Sequence, residues 1–555
     1  MYSSKKNVLE TVALLKAHGI THVVLSPGSR NAPLIQSFTT DPDFICWSVV
    51  DERSAGYFAI GLIYQIRRPV VVCCTSGSAL LNYGPAIAET FYQKLPLIVI
   101  SADRSSAWIE QMDGQTIPQT NLLQSILKKT VHLPEIIDNE SHWYCNRLIN
   151  EALIASVHGD AGPVLINVPI SEPLFDFYTE KLPNVRCIRS VSSDAPVCID
   201  DFINTWKASR KRIILVGQQG KDESLTRILE LLTNHTDCVV LCEHLSNQTA
   251  PSFISNFDVL IKNAMPADRT PFEPDLLITL GGHIVSKQLK KWFREHHPAF
   301  HWQIAASLTM ADTYQSVTNL VEANPVHFLN RLFAAIEPET ERPYTTHWEK
   351  ASASIDQPDN TIPFSDISVT GAFLRKLPSH SSLIVGNSSP VRNIQLFSLP
   401  TASEIFCNRG TNGIEGLLST AIGYALVNKG LTFLLTGDLS FFHDLGGLWS
   451  NYPVSNLRIL VINNGGGGIF HLLNDLEQSD SLQQYVAAKH DKKTEAWVKA
   501  AGMNYLQAYD EVSLEEGLET FVHSGTKESI VLEVFTTIEA NKSAEIAYHS
   551  SIKQR

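Results

Sequence analysis

The sequence has no apolar run approaching the roughly 20 residues that a membrane-spanning helix requires, which argues against an integral helical membrane protein. It has no surplus of cations: 44 Lys and Arg stand against 57 Asp and Glu, a formal charge of -13. That balance opposes non-specific binding to nucleic acid or to an anionic membrane surface. A disulfide framework is also missing, because the nine cysteines are odd in number and scattered, and the adjacent Cys73 and Cys74 lie in an apolar run. They read as small buried hydrophobes. No short-period repeat or low-complexity tract is visible, which argues against a solenoid. The first residues, with Lys5, Lys6 and then Glu10, form no apolar core ending in a small-residue cleavage site, so a cytoplasmic location is expected.

What is present is a globular composition, 44% hydrophobic and 18% charged, over 555 residues. That length exceeds one core and suits about three or four domains of ordinary size. In the first third, helix-compatible segments separate the apolar runs His22 to Ser26, Ile45 to Val50, Val70 to Thr75, Leu97 to Ala102 and Val164 to Val168. Such alternation implies a parallel, doubly wound sheet. A weaker repetition follows at Arg212 to Gly217, Cys238 to Glu243, Leu276 to Gly282 and His301 to Ala305. The last third returns to strong signals at Leu383 to Gly386, Ile405 to Asn408, Thr432 to Thr436, Leu457 to Ile462 and Ile530 to Phe535. Two polar, proline-bearing stretches, Glu172 to about Asp201 and Glu337 to about Asp366, read as linkers. The expected fold class is α/β, with three doubly wound parallel-sheet domains in series over residues 1–180, 200–336 and 365–555.

Thr436-Gly437-Asp438 closes one apolar strand and Asn463-Asn464 closes the next. Twenty-four residues, 439–462, lie between them, including a helix-compatible stretch from Ser440 to Asn451. Ligands of open parallel sheets gather beyond the carboxyl ends of the strands, so two neighbouring tips can present oxygen ligands together. Mg²⁺ takes hard oxygens in an octahedron and usually shares them with phosphate. Asp438 offers a carboxylate and Asn464 a side-chain carbonyl. The run Gly465 to Gly468 would let the backbone approach a diphosphate, since no Cβ intrudes; taken alone it reads equally as a surface turn. The spacing resembles the fingerprint of thiamine-diphosphate-dependent enzymes. That resemblance implies thiamine diphosphate with Mg²⁺ or Mn²⁺, a metal set completed by the Gly466 backbone carbonyl, and further cofactor contacts from Ser440 and Gly467.

Thiamine chemistry also needs a carboxylate against the far nitrogen of the pyrimidine ring. Glu52 follows an apolar strand and opens a helix, and by itself it reads as a first-turn glutamate favoured by the helix dipole. The superfamily places its glutamate at such a junction, so the resemblance assigns Glu52 to cofactor activation. It also implies that the pyrimidine-binding domain (the first) and the diphosphate-binding domain (the third) of one site come from different subunits, hence a homodimer or homotetramer. Ile414 matches the bulky residue that wedges the cofactor into a bent shape; otherwise it reads as core.

Several segments resemble one family within that group, 2-succinyl-5-enolpyruvyl-6-hydroxy-3-cyclohexene-1-carboxylate synthase. They are Ser26 through Leu34 (SPGSRNAPL), Asp51-Glu52-Arg53, Thr75 through Ala79, Ser101 through Arg104, Gly386-Asn387-Ser388 with Arg392, Asn408-Arg409-Gly410, and Asn463 through Phe470. The resemblance implies a transferase of menaquinone biosynthesis that decarboxylates 2-oxoglutarate and adds the four-carbon carbanion equivalent, that of succinic semialdehyde, to isochorismate. Both substrates are dicarboxylates, and arginine's planar fork suits carboxylates. Arg30, Arg104, Arg392 and Arg409 stand in loops where ligand contacts concentrate; any one alone reads as a solvated surface residue. Ser29, Gln115, Lys287 and Ser388 join them by motif position, and Ile469, Phe470 and Leu473 resemble an apolar wall beside the substrate, or else the start of an amphipathic helix.

The chain departs from the family's usual pattern at Gln288, where a basic residue is common, at Thr411-Asn412 and Glu415 in place of Ala-Ser and Asp, and at Gly465 in place of a larger polar residue. A related 2-oxoacid decarboxylase or acetolactate-synthase-like enzyme would share the fingerprint but act on monocarboxylates without such an arginine set. A non-catalytic carboxylate-binding protein on the same fold is the other alternative, since fold does not fix function. Cys238, Cys242 and His244 are read as structural because no second ligand pair follows. His443 and Asp444 are read as helix caps or lining, and Lys489 to Glu495 as a solvated face.

Overall fold

Runs such as Val70-Val71-Val72-Cys73-Cys74 and Leu97-Ile98-Val99-Ile100 are apolar at every position, and every residue in them is buried. Strands with this character sit inside sheets covered on both faces. In the computed structural model, which describes residues 1–188, 199–264, 269–307, 309–358, 361–400, 403–449, 452, 454–472, 479, 481–523, 525 and 528–553, they form three parallel sheets. The first contains β1 (His22–Leu25), β2 (Ile45–Ser48), β3 (Val70–Cys74), β4 (Leu97–Asp103), β5 (Lys129–His132) and β6 (Val164–Pro169), in the order β2-β1-β3-β4-β6-β5. The second contains β7 (Arg212–Val216), β8 (Cys238–Cys242), β9 (Leu276–Leu280), β10 (Phe300–Ala305) and β11 (Asn319–Glu322), in the order β11-β10-β9-β7-β8. The third contains β12 (Ser382–Val385), β13 (Glu404–Phe406), β14 (Thr432–Gly437), β15 (Leu457–Asn463), β16 (Asn504–Ala508) and β17 (Ile530–Phe535), in the order β13-β12-β14-β15-β17-β16.

The first and third sheets therefore have the same strand order, and each reverses direction beside its first strand. Loops that leave a sheet at such a reversal splay apart and open a crevice at the carboxyl ends. The strands expected from the sequence are found to within two residues at either end. The sequence reading omitted β5, β11 and β16, all at sheet edges and all only partly buried.

Two expectations about connections are corrected. The helix expected over Ser440 to Asn451 is a short helix, Asp438–His443, followed by a 3₁₀ turn, Leu445–Leu448. The break falls at Asp444, whose carboxylate leaves its own segment to accept from Ser419 N at 2.7 Å and Ser419 Oγ at 2.9 Å. The second stretch read as a linker contains the helix Pro343–Ala353, opened by proline at its first position, and its buried Tyr344 and Trp348 pack into the core beneath the second sheet. Residues 172–188 of the first stretch carry neither helix nor strand apart from the bridge between Tyr2 and Thr179, and residues 189–198 lie outside the described residues.

The first and third sheets meet through two helices, Glu52–Ile66 and Leu417–Val427, each following the second strand of its sheet. They cross at glycines: a Cβ built on Gly61 would lie 2.0 Å from Thr420 O, and one on Gly423 would lie 2.2 Å from Phe58 O. No helix among the described residues is long and apolar enough to cross a membrane.

Candidate active site

In the third sheet Gly437 pairs with Ile462, so Asp438 stands level with Asn463 and beside Asn464. The Asp438 carboxylate is buried, and its Oδ2 accepts from Gly465 N at 2.9 Å and Gly466 N at 3.0 Å, tying the tip of β14 to the turn after β15. That turn is built for glycine: Gly465 has φ 77 and Gly466 φ 142, and a Cβ on Gly466 would meet Ala487 O at 2.6 Å. Asn463 is held by the buried Glu533, which accepts from its Nδ2 at 2.7 Å. Asn464 donates Nδ2 to Asp366 Oδ2 at 3.0 Å, while its Oδ1, also buried, has no hydrogen-bond partner among the described residues. Burial raises the Asp366 pKa, and the bonds with Thr536, Asn541 and Asn464 oppose that rise.

The segment read as a solvated face is partly turned inward. His490 Nε2 lies 3.3 Å from Asp438 Oδ2, close but not aligned as a hydrogen bond, and that carboxylate raises the imidazole's proton affinity. His490 N donates to Gly465 O at 2.9 Å, and the buried Thr494 donates N and Oγ1 to Glu533 Oε2, both at 3.0 Å. Only Lys489, Asp491, Lys492 and Lys493 have the exposed character expected. Ser440 Oγ donates to Ile414 O at 2.6 Å, which brings two expected cofactor contacts together. Gly467 N is tied to Ala487 O at 2.6 Å, and Ile469 and Phe470 lie half-buried on the turn Gly468–Leu472. Leu473 lies outside the described residues.

The tips of β12 and β13 carry the cations. Asn387 donates to Asn408 O at 2.6 Å and Gly413 O at 2.7 Å, and its Oδ1 accepts from Arg409 Nη1 at 3.0 Å. Arg409 is buried and its Nε has no partner among the described residues. Arg392 Nη1 donates to Ser388 O at 2.6 Å, and Ser388 holds a φ of 72. Burial lowers the Arg392 pKa, the nearby Arg409 lowers it further, and Asp258 opposes both.

Carboxylates that sequence reasoning missed arrange these loops. Glu89, fully buried on the helix Gly84–Gln93, accepts from Gly410 N at 2.8 Å, Thr411 N at 2.8 Å and Thr411 Oγ1 at 2.6 Å. The threonine that departs from the family's usual alanine thus fills a bond to Glu89. Glu415, another departure, accepts from Tyr57 OH at 3.3 Å. In the second sheet, Glu243 follows β8 and accepts from Val285 N at 2.6 Å and Ser286 N at 2.7 Å, fixing the start of the helix Lys287–Glu295; burial pushes its carboxyl up to about 7. Lys287 is exposed at the head of that helix. One turn on, Lys290 is half-buried and donates to Ile284 O at 2.6 Å.

At the first sheet, Asp51 caps the helix Glu52–Ile66 by accepting from Arg53 N at 3.0 Å, placing Glu52 in its first turn. Burial raises the Glu52 carboxyl, a backbone hydrogen bond opposes this, and Asp51 adds to it. Arg30 is 5% exposed and donates to Ile170 O at 2.9 Å and Glu172 Oε1 at 3.2 Å. Arg104 pairs with Asp113 at 3.0 Å and donates Nε to Gly114 O at 3.0 Å. Both arginines line a cavity of about 350 Å³ with Trp108 and Ile170, and every residue lining it comes from the first sheet's loops. Ser29 is exposed on the loop after β1. Gln115, at φ 56, lays its backbone against Gly77, 3.2 Å from where a Cβ would stand. Within one chain, then, two cationic groups are assembled by different loops.

Cys238 and Cys242 are buried thiols of β8, and His244 Nε2 contacts Ile394 O at 3.0 Å and Phe397 O at 2.9 Å, a structural junction between the second and third sheets. Arg53 Nη2 donates to His443 O at 3.0 Å, joining the first and third sheets at the short helix after β14.

Residues 10–128 match the family described as thiamine pyrophosphate enzyme, N-terminal TPP binding domain, and residues 177–385 match the middle domain of thiamine pyrophosphate enzymes. A 2-succinyl-5-enolpyruvyl-6-hydroxy-3-cyclohexene-1-carboxylate synthase of Bacteroides fragilis is 45% identical over 566 residues, covering 100% of both chains. The synthase of the same name from Bacteroides thetaiotaomicron is 46% identical over 563 residues, with 100% of both covered, and that of Flavobacterium psychrophilum is 39% identical over 550 residues, with 98% of each covered.

Proposed function

The chain belongs to the 2-succinyl-5-enolpyruvyl-6-hydroxy-3-cyclohexene-1-carboxylate synthase family, thiamine-diphosphate-dependent enzymes of menaquinone biosynthesis, and on that premise we propose that it joins a four-carbon fragment of 2-oxoglutarate, formed with loss of carbon dioxide, to isochorismate. Thiamine diphosphate, when bound, supplies the electron sink for the decarboxylation. A divalent cation, Mg²⁺ or Mn²⁺, fits the tips of β14 and β15. Asp438 is a buried, anchored carboxylate, Asn464 Oδ1 is a buried acceptor with no donor among the described residues, and the Gly466 carbonyl, which accepts from Gly468 N at 3.0 Å, keeps a second lone pair for the ion. Hard oxygens of this kind suit such a cation better than a softer metal.

With the cofactor bound, Glu52 would share a proton with its pyrimidine ring nitrogen, a role that the partial burial of this carboxyl favours. Ile414 would support the ring, and Ser440 fixes the Ile414 carbonyl. Arg392 and Arg409, from neighbouring strand tips, hold one substrate's carboxylates, with Ser388 and Lys287 at the rim. Arg30 and Arg104, with Ser29 and Gln115, hold the other end of the bound pair. Their present acid partners, Glu172 and Asp113, mark where a substrate carboxylate would compete. Ile469 and Phe470 exclude water from the reacting carbons.

Two subunits complete each site on this reading. The cavity of Arg30 and Arg104 is lined by the first sheet's loops alone, and Trp108, 57% exposed, and Met112, fully exposed, stand on the same segment as Arg104. Exposed apolar residues beside a polar cleft suit a partner's surface.

The observation that most directly supports the cofactor site is the buried Asn464 oxygen, without a donor among the described residues, beside anchored Asp438. The test is ultraviolet detection of isochorismate consumption. Turnover should require 2-oxoglutarate, thiamine diphosphate and Mg²⁺ together, and pyruvate should not replace 2-oxoglutarate. Consumption without the cofactor, or equal turnover of pyruvate, would sink the assignment.

A further inference from the structure

An amide side chain can face either way, so an asparagine offered to a cation must be told which end to present. Asp366 gives that instruction. It opens the helix Asp366–Lys376, lies buried, and is 98 residues from Asn464 in sequence. Its Oδ2 accepts from Asn464 Nδ2 at 3.0 Å, and its Oδ1 accepts from Thr536 Oγ1 at 2.6 Å. Thr536 is itself fixed just beyond β17, where its N donates to Asn463 O at 3.1 Å. The helix end carrying Asp366 is located by the Ser365 capping box with Ser368 and by Asp366 N donating to Asn541 Oδ1 at 2.8 Å. An ionised carboxylate only accepts, so it draws the NH₂ of Asn464 to itself and turns Oδ1 the other way. That oxygen is buried and has no donor among the described residues.

We propose that Asp366 is a positioning residue for the cation site: it locks the Asn464 amide with its oxygen outward and so sets the affinity for the divalent ion. The inference rests on the cofactor reading above and concerns how the site is held ready. A cap or first-turn aspartate with only a helix-dipole role would stabilise the helix without choosing the amide's orientation. The difference is measurable.

Full-length protein is titrated with Mg²⁺ in the presence of thiamine diphosphate by calorimetry, and the metal-free protein is melted in parallel. Asp366→Asn replaces the acceptor with an amide that pairs with either face of Asn464, so half of the pairings turn an NH₂ toward the cation. Its Mg²⁺ dissociation constant is expected to rise roughly 10-fold or more, the usual consequence of losing an outer-shell partner, with the metal-free melting midpoint unchanged. The double variant Asp366→Asn/Asn464→Asp reverses the hydrogen bond: the introduced amide donates to the introduced carboxylate, whose second oxygen faces outward. Most of the lost affinity should return. Wild-type affinity in Asp366→Asn overturns the proposal, as does a double variant that melts like wild type yet binds no better than the single one. If Asp366→Asn does not fold, the double variant decides alone, supporting the proposal by binding and overturning it by folding without binding. Failure of the wild-type protein to bind Mg²⁺ with thiamine diphosphate would instead remove the cofactor reading on which this one stands.

Discussion

A single carboxylate on a helix packed beside the first sheet holds the arginine loop of the third. Glu89 collects two backbone N–H groups and a hydroxyl from Gly410 and Thr411, residues 321 and 322 positions away, directly beside Arg409. Glu89→Gln replaces one accepting oxygen with a donor that faces other donors, which should loosen the loop by about 1 to 3 kcal/mol. Steady-state kinetics should then show a raised KM for the substrate that Arg409 is proposed to hold, while calorimetric binding of thiamine diphosphate changes little. Equal losses in both would make Glu89 a general folding residue. The contrast also explains what the sequence displays. Asp438, Asn464 and Glu52 are visible because each stands at a strand-to-helix junction, a local pattern. Glu89, Asp366 and Glu243 act on N–H groups or amides that only the folded chain brings near, and nothing in their own neighbourhoods distinguishes them from ordinary helix or strand-end acids.

Between elements, the decisive contact is the crossing of the helices Glu52–Ile66 and Leu417–Val427. Because the atoms facing Gly61 and Gly423 are backbone atoms, no rotamer change can make room for a methyl group. Gly61→Ala is expected to force the helices apart at a cost of about 1 to 3 kcal/mol, seen as a lower melting midpoint and as weaker turnover, because Glu52 sits at the head of the displaced helix. An unchanged midpoint would show that the crossing can relax. Helix identity was readable where apolar spacing persists, but two cases failed for opposite reasons. Ser440 to Asn451 has helical spacing, yet Asp444 leaves to bond Ser419 and Gly446 fits against Asp51, so tertiary bonds override the local preference. The polar stretch around Pro343 hides a helix whose Tyr344 and Trp348, four residues apart, supply enough apolar surface to hold it.

For the molecule as a whole, the expectation that each site joins two subunits has a direct test. One protein is made with Glu52→Gln and another with Asp438→Ala, both expected to be inactive, and the subunits are exchanged. A shared site regains one intact Glu52 with one intact Asp438 in each heterodimer, so random exchange should restore about a quarter of wild-type turnover in a two-fold symmetric assembly. No recovery would place both groups of a site in one chain. The three-sheet architecture was legible because most interior strands are apolar on both faces; the three strands that went unseen are edges, where one flank and part of each face meet water and the apolar run dissolves into mixed residues. Only the folded chain shows that the first and last sheets share one strand order. The glycine crossing between their helices has a final consequence for biosynthesis. The face around Gly61 cannot find its mate until Gly423 has emerged from the ribosome, a delay of roughly 20 to 70 s at ordinary elongation rates of about 5 to 20 residues per second. Throughout that interval the nascent first third carries an unmatched apolar seam, so chaperone binding to ribosome-held chains that end before Gly423 is the expected outcome.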